Sequence, residues 1–207
     1  MDLQTRIRRE GGRDMPVLVL GWSTPMRMAA TTVLGGGVGS RRWVVNAQVP
    51  PSYGRRDPGH HLQKLGVSLG LRGKGVGMLT AADVRAARLA DDAGVEVLAT
   101  VGVGNATLAA APDEQRCLTL TGTINLVAVL PERLSDAALV NAVATITEAK
   151  VQALLDAGIH ATGTGTDAVC VVCPEDGRPH DFCGPRSRWG ARLARAVHSA
   201  VLDGARR

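Results

Sequence analysis

"LTLTGTINLVAVLPERLSDAALVNAVATITEAKVQALLDAG", residues 118–158, is the stretch on which the fold class turns. Up to Pro131 it is rich in β-branched residues and bounded by turn residues, which is a strand pattern. From residue 135 the pattern becomes helical. Ser135 suits an N-cap, Asp136 complements the positive helix end, and Gly158 suits a C-terminal stop, so residues 135–157 read as one long helix. "TDAVCVVCP" (166–174) then reads as a further strand.

Working outward toward the N-terminus, "MPVLVLGW" (15–22) is a short apolar strand, and "MRMAATTVLGGGVG" carries a second into a glycine turn at Gly35, Gly36 and Gly37. "RRWVVNAQVP" (41–50) is a third, stopped by Pro50 and Pro51. Asp57-Pro58 opens a helix to about Gly70, with proline in its first turn. "KGVGMLT" (74–80) reads as a strand, "AADVRAARLADDAG" (81–94) as a helix stopped by Gly94, and "VEVLATVGVG" (95–104) as a strand. Toward the C-terminus, residues 187–202 read as a helix with Trp189, Leu193, Ala196, Val197 and Val201 on one face and Arg188, Arg192 and Arg195 on another. The order is roughly βββαβαββαβα, which is not a regular βαβ alternation. The class is therefore α+β: a single domain over residues 1–207, with a mixed β-sheet of about seven strands and helices packed on it. Residues 1–14 read as a flexible N-terminal arm.

Composition narrows the function classes. The chain has 207 residues, 45% of them apolar, with 25 Gly and 10 Pro, as in a glycine-rich globular protein. Its net charge of +5 is concentrated in "RIRRE", "SRR" and "ARR" rather than in a continuous stripe. Three Trp, one Tyr and one Phe give no stacking platform, so no nucleic-acid partner is expected. The charged start lacks an apolar targeting core, and no uninterrupted apolar run reaches the roughly 18 residues of a membrane span. A cytoplasmic location with free thiols is expected, without a membrane partner.

Two near-copies, "ATVGVGNAT" (99–107) and "ATGTGTDAV" (161–169), combine threonines and glycines with almost no bulk, and "TGTINL" (121–126) has the same chemistry. Small residues let backbone approach a ligand, and hydroxyls and free N–H groups then bind it. None of the three has the Gly-Lys-Ser/Thr ending or third glycine of a phosphate loop. The first two each follow a "DAG" triplet, which admits either a duplication or coincidence.

Wound at about 100° per residue, the long helix places Asn141, Thr145, Glu148, Gln152 and Asp156 on one polar stripe. Leu139, Val143, Ile146 and Leu154 form the opposite arc, and Lys150 falls in its middle. A buried ammonium needs a carboxylate unless its stem reaches solvent. Periodicity alone makes Glu148 a solvated residue. Cys170, Cys173, His180 and Cys183 have tempting zinc spacing, but the first two lie three apart on a strand and so point to opposite faces. The histidine pair His60-His61 and His198 sit in helices and read as surface residues.

In this order "VVNAQVP", "GVGMLTAADV", "ATVGVGNA", "GTINLVAVLPERLSDAALVNAVATITEAK", "ATGTGTDAV" and "CGPRSRWGARLARAV" resemble the adenosylcobinamide amidohydrolase family, over about residues 17–201. The resemblance implies a corrinoid-salvage enzyme that cleaves the amide joining the corrin to aminopropanol. Its partner would be a small-molecule corrinoid. It would use no cofactor, the cobalt belonging to substrate, and would hold no metal of its own. A homo-oligomer remains open. The zinc-like set lies outside the family pattern.

Amide hydrolysis needs an activated nucleophile, donors for the oxyanion and a proton for the leaving amine. The catalytic candidates are Glu148 as general base and acid, Lys150 to stabilise the oxyanion, hold a carboxylate or protonate the amine, Asn125 with Asn105 to line an oxyanion hole, Thr123 (or Thr164 or Thr166) as nucleophile or to position water, and Asp167 as partner to Lys150. Substrate-binding candidates are Asn46, Asn105, Gly122, Thr162, Gly163, Thr164, Gly165 and Thr166. The rival readings are a threonine-nucleophile acyltransferase or peptidase, and a corrinoid-binding protein without activity.

Overall fold

The computed structural model describes residues 2–112 and 122–206. Among the described residues, eight strands form one open mixed sheet: β1 Leu3–Glu10, β2 Arg13–Ala30, β3 Gly37–Gln48, β4 Gly75–Thr80, β5 Arg88–Asp92, β6 Val95–Val103, β7 Gly122–Val129 and β8 Ala168–Pro174. Their order is β4-β3-β2-β8-β7-β6-β5, with β1 paired to β2. The helices are α1 Pro58–Ser68, α2 Asp136–Asp156 and α3 Arg188–Ala205. The pairs β3–β4 and β7–β8 are parallel, and the other pairs are antiparallel. An α+β domain with a mixed sheet is what the element order predicted.

The sheet bends because β2 serves two neighbourhoods. Its first half pairs with β1 and its last residues, Met26–Ala30, pair with β8, with a register shift between Gly21 and Met26. Pro25 lies within that shift, where no ladder donor is needed. The two expected strands in this region are therefore one bulged strand. The bend brings the β1–β4 half face to face with the β5–β8 half.

Side-chain alternation then makes three apolar layers. Between the halves lie Leu18, Leu20, Met28, Val44, Val76, Met78, Leu98, Val127, Cys170 and Val172. Outside one half, Val17, Val19, Trp43, Val45 and Ala47 pack under α1 through Leu62 and Leu65. Outside the other, Val97, Ile124, Leu126, Ala128 and Val171 pack under α2 and α3.

The local signals for α2 hold. The Ser135 side chain accepts from the Ala138 N–H, and Gly158 follows the helix at φ +78°. Helix α2 is also long and apolar enough to cross a membrane, at mean hydropathy 1.2, though half of that window is buried inside the protein. In α3, Trp189, Leu193, Ala196, Val197 and Val201 are buried as expected.

Two further expectations fail. Residues 1–14 are not a loose arm, since Leu3–Glu10 is fully paired with β2 through a turn at Gly11 and Gly12. Residues 81–94 are not a helix either. Asp83 caps a single 3-10 turn, Val84–Ala86, and Arg88–Asp92 then forms a hairpin with β6. Ala93 at φ 49° and Gly94 at φ 90° make the two left-handed positions that such a hairpin turn demands. The two "DAG" triplets thus do different jobs, one as a hairpin turn and one as a helix end, which removes the ground for a duplication. Residues 118–121 of the expected strand lie outside the described residues.

Candidate active site

The Thr-Gly strips, read separately in the sequence, meet in space. Thr107 and Gly163 bridge antiparallel, with the Thr107 N–H donating to the Gly163 carbonyl at 2.8 Å and the Thr162 N–H to the Thr107 carbonyl at 3.0 Å. Gly122 is packed so closely that a Cβ would lie 2.9 Å from the Asn105 backbone nitrogen and 3.3 Å from Thr164 Cγ2.

Beneath the strips Lys150 reaches Asp167, Nζ to Oδ2 at 2.5 Å, with side chains only 10% and 12% exposed. The carboxylate also accepts from the Ile124 N–H at 2.9 Å, the Thr164 N–H at 3.1 Å and the Thr164 hydroxyl at 2.5 Å. The Asp167 carboxylate thus accepts from four donors, one of them the Lys150 ammonium. Gly163 lies directly over the pair, where any Cβ would overlap both Asp167 Oδ2 and Lys150 Nζ. The strip needs glycine there for a steric reason.

Two further hydroxyls face each other next to the pair. Thr123 Oγ1 and Thr166 Oγ1 are 2.6 Å apart, and each also lies within hydrogen-bond reach of the Gly122 carbonyl, at 2.8 and 3.1 Å. Thr123 shares the inner face of β7 with Asn125 and Val127, and stands where the inner layer opens. Thr123, Thr166 and Asp167 line a cleft of about 360 Å³ whose other walls are Thr31, Thr32, Met78, Leu79, Thr80 and the loop Pro50–Pro51–Tyr53.

Other expected site residues fall elsewhere. Glu148 is exposed on α2 and does not line the cleft, so it cannot act there as acid or base. Its neighbours on the polar stripe make structural bonds: the Thr145 hydroxyl donates to the Cys183 carbonyl, and Asn141 accepts from the Cys183 N–H. Asn46 and Asn125 are buried between the two half-sheets. Asn125 Nδ2 donates to Asn46 Oδ1 at 2.9 Å and to the Leu79 carbonyl at 3.0 Å, and Asn46 Nδ2 donates to Thr100 Oγ1 at 2.9 Å. Both hydrogens of Asn125 Nδ2 are thus used in tying the halves together and holding Leu79 at the cleft wall, which removes Asn125 as an oxyanion donor, and Asn46 does not line the cleft. The Thr162 hydroxyl accepts from the Ala109 N–H, a loop-closing bond. Gly165 is exposed, with open space around it.

The sequence reading missed a polar chain on the opposite wall. Tyr53 Oη lies 2.9 Å from His61 Nδ1, and His61 Nε2 lies 3.0 Å from Glu10 Oε1. Arg8 holds Glu10 through Nε to Oε2 at 3.0 Å and is itself anchored on the Gln48 and Pro16 carbonyls. His61 is buried, not on the surface as expected. Burial pushes its imidazole below the ordinary value, against the opposing pull of Glu10, while Arg55 and Arg8 push it further down. Burial likewise raises the Tyr53 phenol. One signal was available: Tyr53 is the only tyrosine in the chain and sits just beyond Pro50-Pro51.

Cys170 belongs to the inner layer and Cys173 to the helix-side layer, on opposite faces of β8 as the strand period requires. The two cannot share one ion. His180 is paired with Glu132.

The family model described as adenosylcobinamide amidohydrolase matches residues 2–207. An adenosylcobinamide amidohydrolase of Methanosarcina mazei is 30% identical over 185 residues, covering 85% of this chain and 88% of that protein. One of Halobacterium salinarum is 37% identical over 131 residues, covering 60% and 55%. A solved structure of a Pyrococcus horikoshii protein superposes at a TM-score of 0.47 with 12% identity, covering 98% of this chain and 82% of that one.

Proposed function

The chain belongs to the adenosylcobinamide amidohydrolase family, and we propose that it performs this amide hydrolysis in the cleft lined by Thr123, Thr166 and Tyr53, as a step of corrinoid salvage. The observation that carries the assignment is the meeting of three Thr-Gly strips beside the Lys150–Asp167 pair, where two adjacent hydroxyls face a cavity. A cleft of about 360 Å³ is far too small for a corrin. It takes the aminopropanol arm, and the ring stays at the mouth.

In this scheme Thr123 and Thr166 hold the attacking water against the amide carbon. Lys150 and Asp167 act by positioning, because their charges satisfy each other. The reaction needs no added metal, and cobalt enters only with substrate. Among the described residues, the three buried thiols are free, which supports a reducing, cytoplasmic setting.

The test is incubation with adenosylcobinamide and mass analysis for adenosylcobyric acid and aminopropanol. Wild type should yield both after chelator treatment, and Thr123→Val should lose about 100-fold or more. An inactive wild type with fresh substrate, metal-supplemented or not, would sink the reading.

A second reading has one specific observation in its favour. Thr123 Oγ1 lies 2.8 Å from the oxygen of the preceding Gly122 carbonyl. Attack of that hydroxyl on the Gly122 carbonyl carbon, with protonation of the departing Thr123 nitrogen and then hydrolysis of the ester, would cut the chain and free a Thr123 amine as base. Intact mass under denaturing conditions separates the two readings: a single full-length chain supports bound water, and two fragments support the threonine nucleophile.

A further inference from the structure

Any hydrolysis in the cleft must move a proton from the nucleophile to the leaving amine, and the expected carrier, Glu148, lies outside. Among the described residues, the cleft lining contains two side chains that titrate, Asp167 and Tyr53. Asp167 is saturated by four donors. Tyr53 remains, and it is backed by an ordered chain running to the N-terminal hairpin.

We propose that Tyr53 is the catalytic proton carrier of the cleft, with His61 and Glu10 as the positioning residues that make its hydroxyl a base and then an acid. This rests on the functional reading above. Glu10 Oε1 can only accept, so the proton at 3.0 Å must sit on His61 Nε2. In the neutral ring Nδ1 is then the lone-pair nitrogen, and it accepts from the Tyr53 hydroxyl at 2.9 Å. The arrangement has the logic of an oriented nucleophile–histidine–carboxylate set, with a phenol in the outer place.

As water attacks the amide carbon, its proton passes to Tyr53 Oη while the Tyr53 proton passes to His61 Nδ1. The imidazolium so formed is held between Tyr53 and Glu10. When the carbon–nitrogen bond breaks, His61 returns the proton through Tyr53 to the departing amine. Water and amide become acid and amine, and no side chain changes overall.

The groups facing the relay are Arg8 and Glu10 from β1, Arg55 from the loop before α1, and Asp57 at the N-cap of α1. The two arginines and the burial favour a neutral His61, which the relay requires at its start. Glu10 favours the imidazolium that forms midway.

The experiment compares kcat, KM and their pH profiles on adenosylcobinamide for wild type, Tyr53→Phe, His61→Gln and Glu10→Gln, with folding followed by circular dichroism. Tyr53→Phe should lose about 100-fold or more in kcat with KM little changed. Glu10→Gln removes a charge that raises the His61 pKa, so its acid limb should move to lower pH while kcat falls. A Tyr53→Phe enzyme within about twofold of wild type, or an acid limb unmoved in Glu10→Gln, would overturn the relay and leave the activity standing. Should His61→Gln unfold, the other two variants still decide. The nitrogen-15 shifts of the His61 ring in the wild-type protein give a reading independent of turnover. A proton on Nε2 with Nδ1 bare at neutral pH is expected, and the reverse tautomer would refute the proposal even if wild type proved inactive.

Discussion

Lys150 Nζ lies 2.5 Å from Asp167 Oδ2, joining the middle of α2 to the loop before β8 in a nearly closed environment. The sequence placed a lysine on the apolar arc of a helix, and the fold supplies the carboxylate. Lys150→Met leaves Asp167 charged without its counter-ion, and should cost on the order of 3–5 kcal/mol. Denaturant unfolding measures it, and an unchanged midpoint would show that the pair does not support the loop.

Gly163→Ala attacks the same pair sterically. Its new methyl would overlap both charged atoms, so the loop or the pair must shift. Overpacking of this kind typically costs about 1–3 kcal/mol, and Thr166 should lose its place beside Thr123. Gly165→Ala, next in the strip but open around its Cβ, is the control. Equal melting temperatures for the two variants would contradict the close approach.

Glu148→Gln should keep turnover within about twofold of wild type, in line with the near-neutral effect of surface changes away from special contacts. The side chain is exposed and outside the cleft. A large loss of kcat in a normally folded Glu148→Gln enzyme would return this residue to the chemistry.

Thiol reactivity checks the layers. Burial pushes Cys170 and Cys183 up to about 12 and raises Cys173 as well, which leaves little thiolate at pH 8. In a Cys117→Ser background, which removes the cysteine lying outside the described residues, a disulfide reagent should titrate three thiols only after denaturation. Prompt labelling of the folded protein would mean that one of the apolar layers opens.

The sequence reading succeeded where the signal is local and failed where it is shared. Ser135, Asp136 and Gly158 mark a helix within a turn of its ends, and β-branched runs mark β6, β7 and β8. Residues 81–94 were misread because alanines and charged residues suit a helix equally well. The hairpin follows from Ala93 and Gly94 in left-handed conformations and from the pairing of Arg88–Asp92 with Val95–Ala99. Glu148 was preferred for its chemistry, although its own periodicity already pointed to solvent.

By itself the sequence determined the α+β class, the helix carrying Lys150, the opposed directions of Cys170 and Cys173, and membership of the family through an ordered set of motifs. These rest on periods and caps that a few neighbouring residues encode. The tertiary structure decided which hydroxyls share the cleft and which groups stand behind them. Thr123 meets Thr166 across 43 residues, and Asn46 meets Asn125 across 79. His61 finds Glu10 only because β1 pairs with β2 rather than trailing as an arm. Such contacts depend on how a bent sheet brings distant strands together, and no local period carries that information.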